Sequence, residues 1–281
     1  MSKPVEQLHQ DLNKLRNISG EIGRELTAAY KAYFEIFAPT LKQQSIQGCY
    51  YLCTSGYTET FLKLSYNQRS QLLKTLQRVI GNVAADLVTC IDPSKRRKDD
   101  DDDDDEPTGD LTMLSTTPID WFETPESLST WQKNLESEII RSLKEISYKV
   151  NLLLQQGQVM PPSIPKPILE ANPQADERGG NTANIPNLLS VLIKEDLNRD
   201  EQMNSEDDDD DHTPRIIEIH SLYLRLSEVE FSNASVLTLR KSINQLVNKT
   251  KVLRREYAQK EHELKVAEAE SAWRNSWFGE K

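Results

Sequence analysis

Between Val5 and Ile36 the apolar residues recur at alternating spacings of three and four: Val5, Leu8, Leu12, Leu15, then Ile22, Leu26, Ala29, Tyr33 and Ile36. A backbone with 3.6 residues per turn gathers such positions into one stripe, whereas a strand would scatter them over both of its faces. A single polar residue, Ser19, interrupts the seam. Towards its end Tyr30, Phe34 and Phe37 add a second apolar face, so this part of the helix is expected to be covered on two sides. Pro39 is expected to kink the helix or end it, because it has no N–H to donate and its ring crowds the preceding turn.

The same period returns three times. Ser65 with Gln68 three residues later is a capping box, and Leu72, Leu76, Val79, Val83 and Leu87 carry a helix to about Ile91. Thr124 before Pro125 is a second start signal, since proline suits the first helical position. From there Leu128, Trp131, Leu135, Ile139, Leu143, Ile146, Val150 and Leu153 line one face until Gly157, and the prolines of VMPPSIPKP stop any helix. The last segment opens with some alternation at Leu222, Leu224 and Leu226, but its length favours a helix. The expected fold is all-α: a helical bundle with a long C-terminal helix able to form a coiled coil, joined by acidic disordered linkers. The expected segments are an N-terminal hairpin or bundle over 1–92, an acidic linker over 93–118 and a long helix completing the bundle over 119–157. A Pro/Asn/Asp-rich linker over 158–213 follows, with a short amphipathic helix near 186–198 built on Leu188, Leu189, Val191, Leu192 and Ile193, and then the C-terminal helix over 214–281.

Charge is distributed unevenly. The net charge of −11 resolves into +6 over residues 1–98, −20 over 99–211 and +3 over 212–281. The acidity sits mainly in Asp99–Asp105 with Glu106, directly after the cations Lys95, Arg96, Arg97 and Lys98, and in a second run at Asp207–Asp211. Neighbouring aspartates lie well within a Debye length of about 8 Å and repel along an extended chain, which makes solvated spacer the simplest reading. The alternative is electrostatic mimicry, in which a tethered polyanion occupies cationic surface that would otherwise attract nucleic acid. A calcium loop does not fit: with Gly109 at its sixth position, Ser115 falls where a bidentate Glu is required.

On the C-terminal helix Leu239, Ile243, Leu246, Thr250, Leu253, Tyr257, Lys260, Leu264 and Ala267 form a heptad seam, and Trp273 and Trp277 lie one turn apart beyond it. We take Leu239, Ile243, Leu246, Leu253, Tyr257, Leu264, Trp273 and Trp277 as candidate interaction residues. The cations Lys249, Lys251, Arg254, Arg255, Lys260 and Lys265 interleave with Glu256, Glu261 and Glu263, which reads as the flanking charge of a coiled coil rather than a phosphate-binding face. LRLSEVEF, from Leu224, and AEAESAWRNSW, from Ala267, resemble the C-terminal signature of an uncharacterised family of helical, coiled-coil proteins from cyanobacteria. That resemblance spans about a quarter of the chain, implies a bacterial cytosolic protein and brings no active site with it.

Nothing in the sequence points to catalysis. The phosphate-cradling glycine motifs, the nucleophile elbow and the HExxH pair do not occur, and His9, His212, His220 and His262 are scattered. Cys49 and Cys53 are one turn apart, but without paired histidines they read as buried helix residues rather than zinc ligands. An odd number of cysteines with Cys90, and no apolar stretch near MSKPVEQLHQ suited to a signal peptide, lead to the expectation of a reduced, cytoplasmic protein without disulfides. No apolar run approaches the roughly 18 residues of a membrane span. The expected function is therefore non-catalytic, without cofactor or metal: an adaptor or scaffold that holds a protein partner or a second copy of itself. The alternative is a nucleic-acid-associated regulator autoinhibited by its aspartate tracts.

Overall fold

The computed structural model describes residues 4–91, 122–162, 164, 185–195 and 215–278. The aspartate tracts, the basic run at Lys95–Lys98 and most of the expected linker over 158–213 lie outside these residues. In chain order the elements are α1 (Val5–Tyr51), a π-helical turn (Leu52–Gly56), α2 (Thr58–Lys63), α3 (Tyr66–Thr89), α4 (Pro125–Gln156), strands β1 (Leu188–Glu195) and β2 (Arg215–Leu222), α5 (Leu226–Phe231) and α6 (Ala234–Phe278). The fold is helical, as the apolar period predicts. The expected starts are where the sequence puts them. Ser65 N–H donates to Gln68 Oε1 at 2.8 Å and Gln68 N–H donates back to Ser65 Oγ at 3.3 Å, closing the capping box ahead of α3. At α4, Ser127 N–H donates to Thr124 Oγ1 at 3.2 Å and Thr124 N–H to Ser127 Oγ at 3.3 Å, with Pro125 at the first helical position.

Pro39 does not end α1; the helix runs through to Tyr51. The flanking Phe37, Ala38 and Leu41 are all buried, and that packing outweighs the roughly 3 kcal/mol an interior proline costs.

The chain forms two compact units. The first comprises Met1–Ile36, Val88–Ile139 and Ala234–Lys281. Its described core is a three-helix packing. Tyr30 of α1 meets Trp131 of α4 edge to face at 5.7 Å, Phe122 meets Trp131 at 5.2 Å, and Leu8 and Leu12 cluster with Leu264 and Ala267 of α6. Arg16 meets Tyr257 and Tyr33 meets Arg240, so the pairings run in opposite order along α1 and α6 and the two helices are antiparallel. Gly23 permits the close approach of Phe122, because a Cβ there would overlap the Phe122 ring.

The second unit comprises Phe37–Leu87 and Ile140–Asn233. Leu41, Leu52, Ile80, Leu87, Ile146, Val150 and Leu154 are fully buried in it. Two expectations fail here. The segment near 186–198, expected as a short amphipathic helix, is strand β1; and the chain from 214, expected to open the long C-terminal helix, is strand β2, with that helix starting only at Ala234. The strands pair antiparallel from Leu188↔Leu222 to Glu195↔Arg215. The reason lies in burial on both faces: Leu188, Leu189, Ser190 and Val191 are consecutive and all buried, which an amphipathic helix with one apolar stripe does not allow. A lone two-stranded ladder is marginal in water. Side chains of the helices support this one. Asn151 of α4 donates from Nδ2 to the Leu222 carbonyl at 3.0 Å and accepts the Leu222 N–H at 2.8 Å, while Ser147 Oγ accepts the Leu224 N–H at 3.0 Å.

Candidate interaction surface

Helix α6 has two stretches of different character. Along the first, the heptad seam is consumed within the chain. Ile243, Leu253, Leu264 and Ala267 are buried, and Leu239, Leu246 and Tyr257 are half-buried. Thr250 is buried with its hydroxyl donating to the Leu246 carbonyl at 3.1 Å, and Tyr257 Oη accepts Arg16 Nε–H at 3.2 Å. Of the eight candidate residues, these six thus line an internal seam of the first unit.

Beyond Ala267 the helix continues with every residue from Glu268 to Trp277 exposed. Ten helical residues extend about 15 Å. On this stretch Trp273 and Trp277 are 65% and 68% exposed, with their rings stacked at 5.4 Å and 14°. They stand one turn apart, the spacing at which helical side chains meet. The surrounding charge is mixed rather than basic: Arg274 pairs with Glu270 at 3.5 Å, and Glu268 lies 3.7 Å from His9.

Sequence reasoning missed a polar cluster inside the first unit. Arg240 of α6 donates to Glu136 Oε1 at 2.5 Å and to Tyr33 Oη at 3.0 Å, with its guanidinium 4.6 Å over the Tyr33 ring. Tyr30 Oη donates to the same Glu136 oxygen and accepts from Gln132 Nε2 at 3.4 Å. Burial raises the Tyr30 phenol above its usual range, reinforced by the Glu136 carboxylate beside it. The cluster locks α1, α4 and α6 together. Its members are spread over the chain, and their spacings carried no signal.

The arrangement nearest to a catalytic one lies in the second unit, where Ser190 Oγ and His220 Nδ1 share a hydrogen bond of 2.7 Å across the ladder. Ser190 is fully buried, and Tyr57 Oη donates to the His220 carbonyl at 2.7 Å while accepting the His220 N–H at 2.9 Å. These contacts tie the π-helical turn to β2 and expose no nucleophile to a substrate. Cys49 and Cys53 are likewise buried: desolvation pushes the Cys49 thiol up to about 12, with Cys53 adding to the shift, and the Cys53 thiol up to about 11. Neither is a thiolate at neutral pH. Among the described residues no three His, Cys, Asp or Glu side chains come together to hold a metal ion, and no helix is long and apolar enough to cross a membrane. Comparison with protein-family models, curated proteins and solved structures finds no match.

Proposed function

We propose that this protein is a non-catalytic helical adaptor or scaffold that holds a protein partner, or a second copy of itself, through the C-terminal extension of α6. The observation that carries the reading is the stacked, exposed pair Trp273 and Trp277 on a stretch of helix that the described residues of its own chain leave uncovered. Two large aromatic rings in water are costly, and tryptophan is among the residues that dominate protein interfaces when a partner desolvates it. The stretch does not suit a membrane surface, because its polar face lacks the basic excess that anionic lipids attract. The resemblance of LRLSEVEF and AEAESAWRNSW to a cyanobacterial family, and a cytoplasmic location, belong to the same proposal. Within LRLSEVEF, Arg225 pairs with Glu228 at 2.8 Å, and Glu228 in turn accepts the Asn187 N–H.

Sedimentation of the full chain and of the double variant Trp273→Ser/Trp277→Ser tests the proposal, together with identification of proteins retained by each from the native cell. Self-association gives a dimer that the variant dissociates; an adaptor gives a monomer whose specific partner is lost in the variant. A monomer whose retained proteins are the same with and without the tryptophans overturns it. A second reading, the nucleic-acid-associated regulator, is favoured by a cluster of cations facing a cleft between α4 and α6. It expects partners that disappear on nuclease treatment, and it expects Asp99–Asp105 replaced by Ser/Gly of equal length to bind DNA more tightly at low salt.

A further inference from the structure

The interleaved charges of α6 are sorted by the fold. Glu263 holds Lys260 at 2.5 Å and Glu261 lies 3.9 Å from Lys265, while Lys251, Arg254 and Arg255 turn to a cleft of about 170 Å³ against the first turns of α4. Lys133 of α4 lines the same cleft, with Ser129, Gln132 and Thr250. Only Arg254 of these four cations has a carboxylate among the described residues, Glu126 at 3.5 Å. Among the described residues no glutamate or aspartate lines the cleft itself. In a chain with 45 acidic and 34 basic side chains, four cations converge on one concavity, and three of them have no counter-ion among the described residues.

We infer that this cleft is a binding site for a diphosphate group, free or carried by a nucleotide. One phosphate group carries about −1.5 to −2 at neutral pH, so a diphosphate matches the surplus better than a single phosphate. The donors also match. Two guanidiniums make paired N–H···O bonds to phosphoryl oxygens, and two ammoniums supply point charges that adapt to either phosphate. Ser129 and Gln132 add neutral donors at the wall. Lys251, Arg254 and Arg255 share one face of α6 by their i, i+3 and i+4 spacing, and the packing of α6 against α4 brings Lys133 opposite them. The site is independent of the tryptophan pair.

Calorimetric titration of the full chain with inorganic pyrophosphate at low salt tests it. The wild type should bind one equivalent saturably and weaken as the Debye length falls with added salt. The variant Lys251→Gln/Arg255→Gln, at exposed positions, should lose affinity by roughly tenfold or more, while Lys241→Gln/Lys249→Gln, which removes the same charge from exposed positions outside the lining, should change it by less than about twofold. Helical circular dichroism equal in all three shows that the fold is intact. Titration with ADP separates the sources: tighter binding than pyrophosphate, with the same sensitivity to Lys251→Gln/Arg255→Gln, assigns a nucleotide, and equal or weaker binding assigns the free anion. An absence of saturable pyrophosphate binding, or an equal loss in both double variants, overturns the inference.

Discussion

Ser19 shows how a residue conspicuous in sequence can be structural in effect. It breaks the apolar seam of α1, is fully buried, and its hydroxyl has no hydrogen-bond partner among the described residues. A buried hydroxyl loses its water without replacement, so Ser19→Ala should raise stability by about 1 kcal/mol, read as a higher denaturant midpoint at unchanged slope. Asn187 is the opposite case, inconspicuous in sequence and demanding in structure. Its φ of 62° lies in the left-handed region, its Nδ2 donates to Gln44 Oε1 at 3.2 Å and its Oδ1 accepts the Arg225 N–H at 3.2 Å. Asn187→Ala should cost about 2–3 kcal/mol, the backbone strain adding to an unpaired Arg225 N–H, and Asn187→Gly should recover the part that is strain. An Asn187→Gly as unstable as Asn187→Ala would place the whole effect in the side-chain bonds.

At the scale of elements, α6 separates two roles that its heptad seam had merged. A seam open to another chain tolerates a charge by dissociating; a seam inside the first unit does not. Leu253 is buried, so Leu253→Asp removes its packing and places a carboxylate in an apolar setting. The expected outcome is loss of more than about 3 kcal/mol with melting of the unit, rather than a stable monomer, measured by thermal unfolding and hydrogen exchange. Retained stability with a lower mass would instead return the seam to an intermolecular role. The second unit owes its ladder to a comparable dependence on neighbours: β1 and β2 persist because Asn151, Ser147 and Tyr57 satisfy backbone groups at Leu222, Leu224 and His220.

For the whole molecule, the buried titratable groups set the alkaline limit. The Cys49 and Cys53 thiols are raised from 9.0 to about 12 and about 11, and burial lifts the Tyr57 phenol from 10.0 to about 12, with Tyr30 shifted in the same direction. Between these limits the unfolded chain holds fewer protons than the folded one, so stability falls as pH rises. The contribution is complete below about pH 9 and is lost as pH climbs through 11 to 12. Urea titrations across this range should show the midpoint declining from about pH 9, and Cys49→Ala/Cys53→Ala should delay the onset towards pH 10, where the tyrosines begin. A midpoint flat to pH 11 in the wild type contradicts that burial.

What the sequence determined by itself is the helical character, the apolar stripes and the starts of α3 and α4. Those depend on spacings of three and four and on caps that act within a single turn, so the information is local. The ladder was decided by tertiary structure, because LLSVLI is an apolar run that period alone leaves open, and its partner strand begins twenty residues after β1 ends. The candidate residues divided for the same reason. Spacing marked Leu239 to Leu264 and the two tryptophans alike as candidate interaction residues, and only the packing of α6 on α1, Leu264 and Ala267 against Leu8 and Leu12, showed where its own chain covers the helix and where that cover stops. The cationic cleft was hidden in the same way: along the sequence its charges alternate with glutamates, and the pairing of Glu261 and Glu263 elsewhere is a property of side chains held in three dimensions, where Lys133 arrives from another helix.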